Sequence, residues 1–321
     1  MTVLDTARKA ITQPYLIPGY LRTNVIWPAY TWFHRELLGR RGIEVMEEDW
    51  DNLIVLDACR YDLFESVSTF QGDLQRVISK GAATPEFLQE NFMGEYHDTV
   101  YITANPSVDK HLEDEQFHAV VRPYLTHWNE EHGTVMPADM ATVTEQVHDE
   151  YPDKRIIAHF IQPHQPFVGE TGREIYSNSE YTSTLPDHRD DALGEDPEWD
   201  ERNVFLGLFQ GDLDRDAVWT AYRENLEVTL PHADHLVDVF DGKTVVTSDH
   251  GNIFKQPLIT PRKPPSAHPG GIYLAPLVRV PWLSIESETR KGIVDEPPVP
   301  SEDVSKEMVS ERLQDLGYID Q

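Results

Sequence analysis

Hydrophobic positions along this chain follow two patterns: short unbroken apolar runs, and longer stretches with apolar residues every third or fourth position. Residues 52–58 are a run of the first kind, and 74–79, 99–103, 155–161 and 244–247 are short strand-like runs. All five read as strands, and the continuous apolar character of 52–58 predicts burial on both faces. Stretches of the second kind predict helices. Thr84-Pro85-Glu86 reads as a helix start, with Thr84 at the N-cap and Pro85 at the first helical position. Residues 139–149 place Met140, Val143 and Val147 on one face, and 217–240 do the same with Tyr222, Leu226, Leu230, Leu236, Val237 and Phe240. Pro231 is expected to kink or split that long helix. Alternation of strand and helix predicts an α/β fold with a mostly parallel central sheet and helices on both faces.

The remaining text divides the chain. Residues 1–50 are expected to form an N-terminal arm that packs on the main α/β unit at 51–292, and 293–321 to form a linker and a C-terminal helix capped by Gly317. Residues 169–214 are polar and acidic, interrupted by Gly, Ser and Pro. Such a stretch is too long for an ordinary loop and predicts an insertion or lid. A Pro-rich loop follows at 256–268, and 272–282 is strand-like but interrupted by Pro276 and Pro281.

Charge narrows the partners. The chain carries 56 Asp and Glu against 27 Lys and Arg, a net charge of −29. A surface of that sign repels nucleic acid and anionic membranes, so neither is an expected partner. The acidity is spread along the chain and lysine is scarce. That composition fits concentrated salt, where screening shortens to about 3 Å at 1 M, and a halophilic archaeal source is expected. A lone cysteine, Cys59, excludes a disulfide framework and a Cys-rich zinc module. With no leader-like opening and no long apolar span, a cytoplasmic protein is expected. Residues 15–38, which hold Trp27, Tyr30, Trp32 and Phe33, read as part of the packed arm rather than as a membrane-surface segment.

Chemistry-bearing residues gather at strand ends, where open α/β sheets place their ligands. The run at 52–56 ends in Asp57, and the run at 244–247 ends in Ser248-Asp249-His250-Gly251. Two carboxylates and an imidazole at two strand ends form most of a ligand set for a divalent transition metal. Thr84 stands where a helix N-terminus favours an anion, and reads on its own as an N-cap. Arg60 can clamp an anionic ester bidentately or pair with Asp62 or Glu65. Cys59 reads as a buried structural thiol.

These pieces occur in a familiar order. Asp57, Asp249-His250-Gly251, His159 with Gln162-Pro-His164-Gln-Pro166-Phe167, His268 upstream of Val280-Pro-Trp282, and the closing Leu313-Gln-Asp-Leu-Gly-Tyr318 resemble the alkaline phosphatase/sulfatase superfamily. The resemblance spans about residues 51–317 and implies an alkaline phosphatase-like fold. It implies a metal-dependent hydrolase or transferase of phosphate or sulfate esters, with a small-molecule or glycan ester as substrate. In it Asp57, Asp249 and His250 are metal ligands and His268 resembles the late histidine that binds a second ion. Thr84 becomes the alkoxide nucleophile that also ligates the metal. Arg60 steadies the developing charge, and His164 contacts the leaving oxygen. His159, nearer its strand, reads as a core histidine. One ion or two, Mn or Zn, is implied; Asn252 stands where many members carry Glu. The Cys-x-Pro-x-Arg signature of formylglycine sulfatases is absent around Cys59. A catalytically degenerate binding protein for anions or glycans on the same fold is the alternative.

Overall fold

The computed structural model describes residues 42–179, 204–254, 268 and 270–300, with isolated positions between 29 and 36 and between 308 and 313. Strands are β1 (Asn52–Leu56), β2 (Asp73–Ile78), β3 (Tyr96–Thr103), β4 (Phe117–Val121), β5 (Trp128–Asn129), β6 (Thr134–Val135), β7 (Arg155–Phe160), β8 (Thr244–Thr247) and β9 (Arg279–Ile285). Helices are α1 (Tyr61–Val67), α2 (Thr84–Asn91), α3 (Val108–His111), α4 (Pro123–Thr126), α5 (Pro137–Glu150), α6 (Glu170–Asn178), α7 (Val204–Gln210), α8 (Arg215–Val239) and α9 (Ala275–Val278).

Seven strands form one sheet in the order β2-β9-β8-β1-β7-β3-β4, and β5 and β6 pair separately. β8, β1, β7, β3 and β4 run parallel, while β9 runs against both β8 and β2. The expected mostly parallel sheet with helices on both faces is therefore present. Alternation along the central strands feeds two cores. From β1, Ile54 and Leu56 enter one cluster with α1, α5 and α8, while Leu53 and Val55 enter another with α2 and α3. Unbroken apolar character follows, because neither face of β1 meets water.

Several elements differ from expectation. Helix α8 is not split at Pro231 and runs unbroken for 25 residues. Pro231 and Glu227, whose carbonyl would otherwise bond to residue 231, both face solvent, so water can take the freed carbonyl while Leu230, Ala233 and Leu236 continue the buried stripe. The described ends of 169–214, an expected insertion or lid with no assigned secondary structure, carry helices α6 and α7. Ile175 from α6 and Val204, Phe205 and Leu208 from α7 join the core, and Thr171 donates to Glu224 on α8. Residues 180–203, the middle of the expected lid, lie outside the described residues. So do most of the expected N-terminal arm, the C-terminal helix apart from isolated helical positions, and the loop at 256–267. At the expected linker, residues 294–299 are strapped to the sheet's amino end. Val294, Glu296 and Val299 donate backbone N–H groups to the carbonyls of Asp153, His97 and His118. Among the described residues, no helix is long and apolar enough to cross a membrane.

Candidate metal centre

The carboxyl ends of β8, β1 and β7 lie side by side, and the chain turns sharply beyond each. After β1, Asp57 is followed by Ala58 in the left-handed region at φ 59°. A residue with a side chain adopts that conformation at a cost of about 1–2 kcal/mol. Hydrogen bonds offset it: Ala58 N–H donates to Asp249 Oδ1 at 3.0 Å and Cys59 N–H to Ser248 Oγ at 2.8 Å, while the Tyr222 hydroxyl donates to the Ala58 carbonyl. The strained turn thus locks the end of β1 to the end of β8. After β8, Gly251 makes a close approach. A Cβ there would lie 2.1 Å from the Pro276 carbonyl oxygen, so a side chain would displace the loop that carries His250.

Five side chains converge on this edge, and Asp57, Thr84, His159, Asp249 and His250 are all fully buried. Ligand atoms of Asp57, His159 and Asp249 lie within 4.8 Å of one another. His250 Nε2 is 3.6 Å from Asp57 Oδ1 and 3.4 Å from Asp249 Oδ2. The Thr84 hydroxyl donates to Asp249 Oδ2 at 2.7 Å and lies 3.2 Å from His250 Nε2. Ala83, not Thr84, is the N-cap of α2, and Thr84 is its first helical residue; the N-cap reading of Thr84 is corrected accordingly. Its hydroxyl turns into the cluster instead of back onto its helix.

Neighbouring groups set the imidazoles. His250 Nδ1 donates to the Gly251 carbonyl at 2.7 Å, which turns Nε2 toward the carboxylates. His159 Nδ1 meets the Tyr101 hydroxyl at 2.8 Å, while its Nε2, 3.9 Å from Asp249 Oδ2, has no hydrogen-bond partner. Burial pushes the pKa of His159 down to about 4, so it is neutral and can offer a lone pair. Burial opposes ionisation of Asp249, but His250, His159, the Ala58 N–H and the Thr84 hydroxyl outweigh it and hold its pKa below the usual carboxylate value. Asn105 donates to Asp57 Oδ2 at 2.7 Å and fixes that carboxylate from behind.

This donor set suits a divalent cation. Among the described residues, the partners of Asp249 are imidazoles, the Thr84 and Ser248 hydroxyls and N–H groups, with no ammonium or guanidinium. Two buried carboxylates beside two imidazoles offer mixed oxygen and nitrogen ligation.

Of the expected site residues, Asp57, Thr84, Asp249 and His250 come together, with His268 and His164 beside them. The His250 and His268 ring centres are 4.7 Å apart, and His164 Nε2 lies 2.9 Å from His268 Nε2. Burial also lowers the pKa of His164 to about 4, while its Nδ1 donates to the Gln165 carbonyl. Arg60 is not brought to the carboxylates. Its guanidinium pairs with Asp62, bonds to the Asn252 carbonyl at 3.2 Å and lies over the Trp219 ring. Cys59 is a core residue, and burial together with the Asp62 and Asp249 charges raises its thiol pKa well above normal, so it is no thiolate. His159, read from the sequence as a core histidine, is the member of the cluster that sequence reasoning missed. Its placement follows from register: it pairs with Val55 on one side and Thr103 on the other.

No protein-family model matches this chain, and no curated protein sequence matches it. Among solved structures it is similar to lipooligosaccharide phosphoethanolamine transferase A from Neisseria meningitidis, at 12% identity and a TM-score of 0.46. That match covers 74% of this chain and 47% of the transferase, so the chain spans about half its length. The C-terminal periplasmic domain of EptC from Escherichia coli, in complex with Zn, matches at 14% identity over 74% and 72% of the two chains, TM-score 0.42. A phosphonate monoester hydrolase from Silicibacter pomeroyi matches at 12% identity over 83% and 72%, TM-score 0.38.

Proposed function

We propose that the protein is a metal-dependent hydrolase or transferase of phosphate or sulfate esters, with Thr84 as its nucleophile. One observation carries this reading: the Thr84 hydroxyl, at the start of an eight-residue helix, bonds to Asp249 inside a buried cluster of two carboxylates and two imidazoles. A structural threonine at a helix start needs no such company, and this one does not cap its helix.

Asp57, His159, Asp249 and His250 would hold the cation, Zn or Mn, with Thr84 beside them. When bound, such an ion neutralises charge on the reacting group and favours ionisation of a nearby hydroxyl. The chain's own residues supply the rest. Thr84 Oγ1 attacks phosphorus or sulfur, and Asp249 Oδ2 stands in place as acceptor of its proton. The bond to the leaving oxygen breaks as the new bond forms, and that oxygen departs as an alcohol. His268, whose Nε2 lies 2.9 Å from His164 Nε2 and whose ring lies close to His250, is placed to deliver the alcohol its proton, with the neutral His164 orienting it. Water, or an acceptor alcohol in a transferase, then displaces Thr84. N–H groups at the amino end of α2 favour the anionic group while it is attached.

Elemental analysis of the purified protein, combined with a panel of aryl phosphate and sulfate esters, tests the reading. About one equivalent of Zn or Mn and turnover that disappears in Thr84→Ala are expected. Undiminished turnover in Thr84→Ala would sink the assignment of the nucleophile; full metal content in Asp249→Ala would sink that of the site.

A further inference from the structure

Behind the metal centre lies a cavity of about 180 Å³ that its chemistry leaves unused. Arg60, Tyr61, Asp62, Arg76, Pro276 and Arg279 line it. Acids outnumber bases two to one along the chain, at 56 to 27. Here that ratio is inverted, with three guanidinium groups against a single carboxylate. Among the described residues Asp62 forms an ion pair with Arg60 and with no other cation, and accepts from the Leu63 N–H. Arg76, which lies over the Tyr61 ring, and Arg279 have no carboxylate partner among the described residues. The antiparallel pairing of β2 with β9 sets Arg76 opposite Pro281 and Ile78 opposite Arg279, so both arginines project from one face of the ribbon.

The cavity shares a wall with the metal centre. Gly251 N–H donates to the Leu277 carbonyl, and Gly251 packs against Pro276. Arg60 bridges the two by its bond to the Asn252 carbonyl, two residues beyond His250. Ser79, next after β2, donates to the Asp249 carbonyl. An ester seated at Thr84 therefore has a cationic pocket one loop away. Guanidinium forks match the planar or tetrahedral oxygens of carboxylate, phosphate and sulfate.

We infer that this pocket receives a second anionic group of the substrate, so that the protein selects esters of polyanionic molecules. The inference rests on the proposed ester chemistry at Thr84, and Arg76 and Arg279 are its specificity-determining residues. Two esters test it: phenyl phosphate and benzene-1,4-bisphosphate, or the corresponding sulfates if those are the esters turned over. The wild-type protein is expected to prefer the doubly anionic ester in kcat/KM. In the Arg76→Gln/Arg279→Gln variant that preference falls on the order of tenfold or more, as expected for lost bonds to charged groups. Both positions are exposed, so an unchanged melting temperature confirms the fold. A preference that survives both substitutions overturns the inference. If neither ester nor its sulfate counterpart is turned over by the wild type, the Thr84 reading fails and the pocket is read separately by calorimetric titration with inorganic pyrophosphate. Weaker binding by the double variant, again by about tenfold or more, then supports the pocket, and equal binding overturns it.

Discussion

The two ends of this sheet hold buried carboxylates in opposite ways. At the amino end, Asp51 is almost fully buried and receives the Arg290 guanidinium and the Lys243 N–H, while Asp49 beside it takes Arg290 and Lys243. At the carboxyl end, Asp249 is equally buried but faces His159, His250 and the Thr84 hydroxyl. Buried charge persists only when it is paired or coordinates a metal. The chain supplies its own cation at the amino end, whereas at the carboxyl end it supplies lone pairs. That contrast separates a structural ion-pair cluster from a ligand set, and it makes the two ends respond differently to the same kind of mutation.

The largest effect is expected at the reacting atom. Thr84→Ala should cut turnover on the order of 10⁴-fold or more, the scale seen when a covalent nucleophile is removed, with metal content and melting temperature little changed. Thr84→Ser should recover much of that activity, which a purely structural threonine would not require. Truncating an aspartate at each end sharpens the contrast. Asp249→Ala should lose the metal and about 10³-fold or more in activity. Asp51→Ala should keep the metal and instead cost about 2–3 kcal/mol in denaturant unfolding, discounted from a fully buried pair because Arg290 is nearly half exposed. The same phenotype from both variants would abolish the distinction between the ends. Smaller still, Asn105→Ala should loosen metal affinity by roughly 10–100-fold, because it removes the group that orients Asp57 without removing a ligand.

How much of this was legible beforehand follows from what each feature depends on. β1 is written locally as an apolar run and β8 as a β-branched one, and each leads directly into chemistry-bearing residues, so Asp57, Asp249 and His250 could be placed at strand ends from the sequence. His159 could not be read the same way. It lies inside its strand, and only the β7–β1 register sets it within reach of Asp249. Pairing register is a non-local property that spacing within one strand does not encode. For Arg60 the sequence left an anionic ester and Asp62 or Glu65 open as partners; the fold brings it to Asp62 and over the Trp219 ring, a contact set by packing between distant segments. Helices α6 and α7 were hidden because their polar surroundings mask a short apolar stripe, although Val204-Phe205 and Leu208 carried the signal. The course of β9 against its neighbours was likewise invisible, since direction depends on the connection made by residues that precede it.

The subtlest expectation concerns pH and isolates the amino end alone. Burial lowers the pKa of Lys291 to about 8, against the opposing pull of Asp51 and Asp241, while its ammonium donates to the Lys154 carbonyl. The folded state therefore binds this proton less tightly than the unfolded chain, whose lysine titrates near 10.4. Below about pH 8 both states carry the proton and the folded state bears the full penalty. Between about 8 and about 10.4 the unfolded state binds more protons, so this group's contribution to stability rises with pH. In Lys291→Met the penalty is absent at every pH. The melting temperature of the variant minus that of the wild type should therefore fall across this window, whatever other groups titrate in both proteins. A difference that stays flat would show that Lys291 is as well solvated in the fold as outside it. Metal content should not move with the substitution at any pH in the window, because the titrating group belongs to the end of the sheet that supplies its own cations.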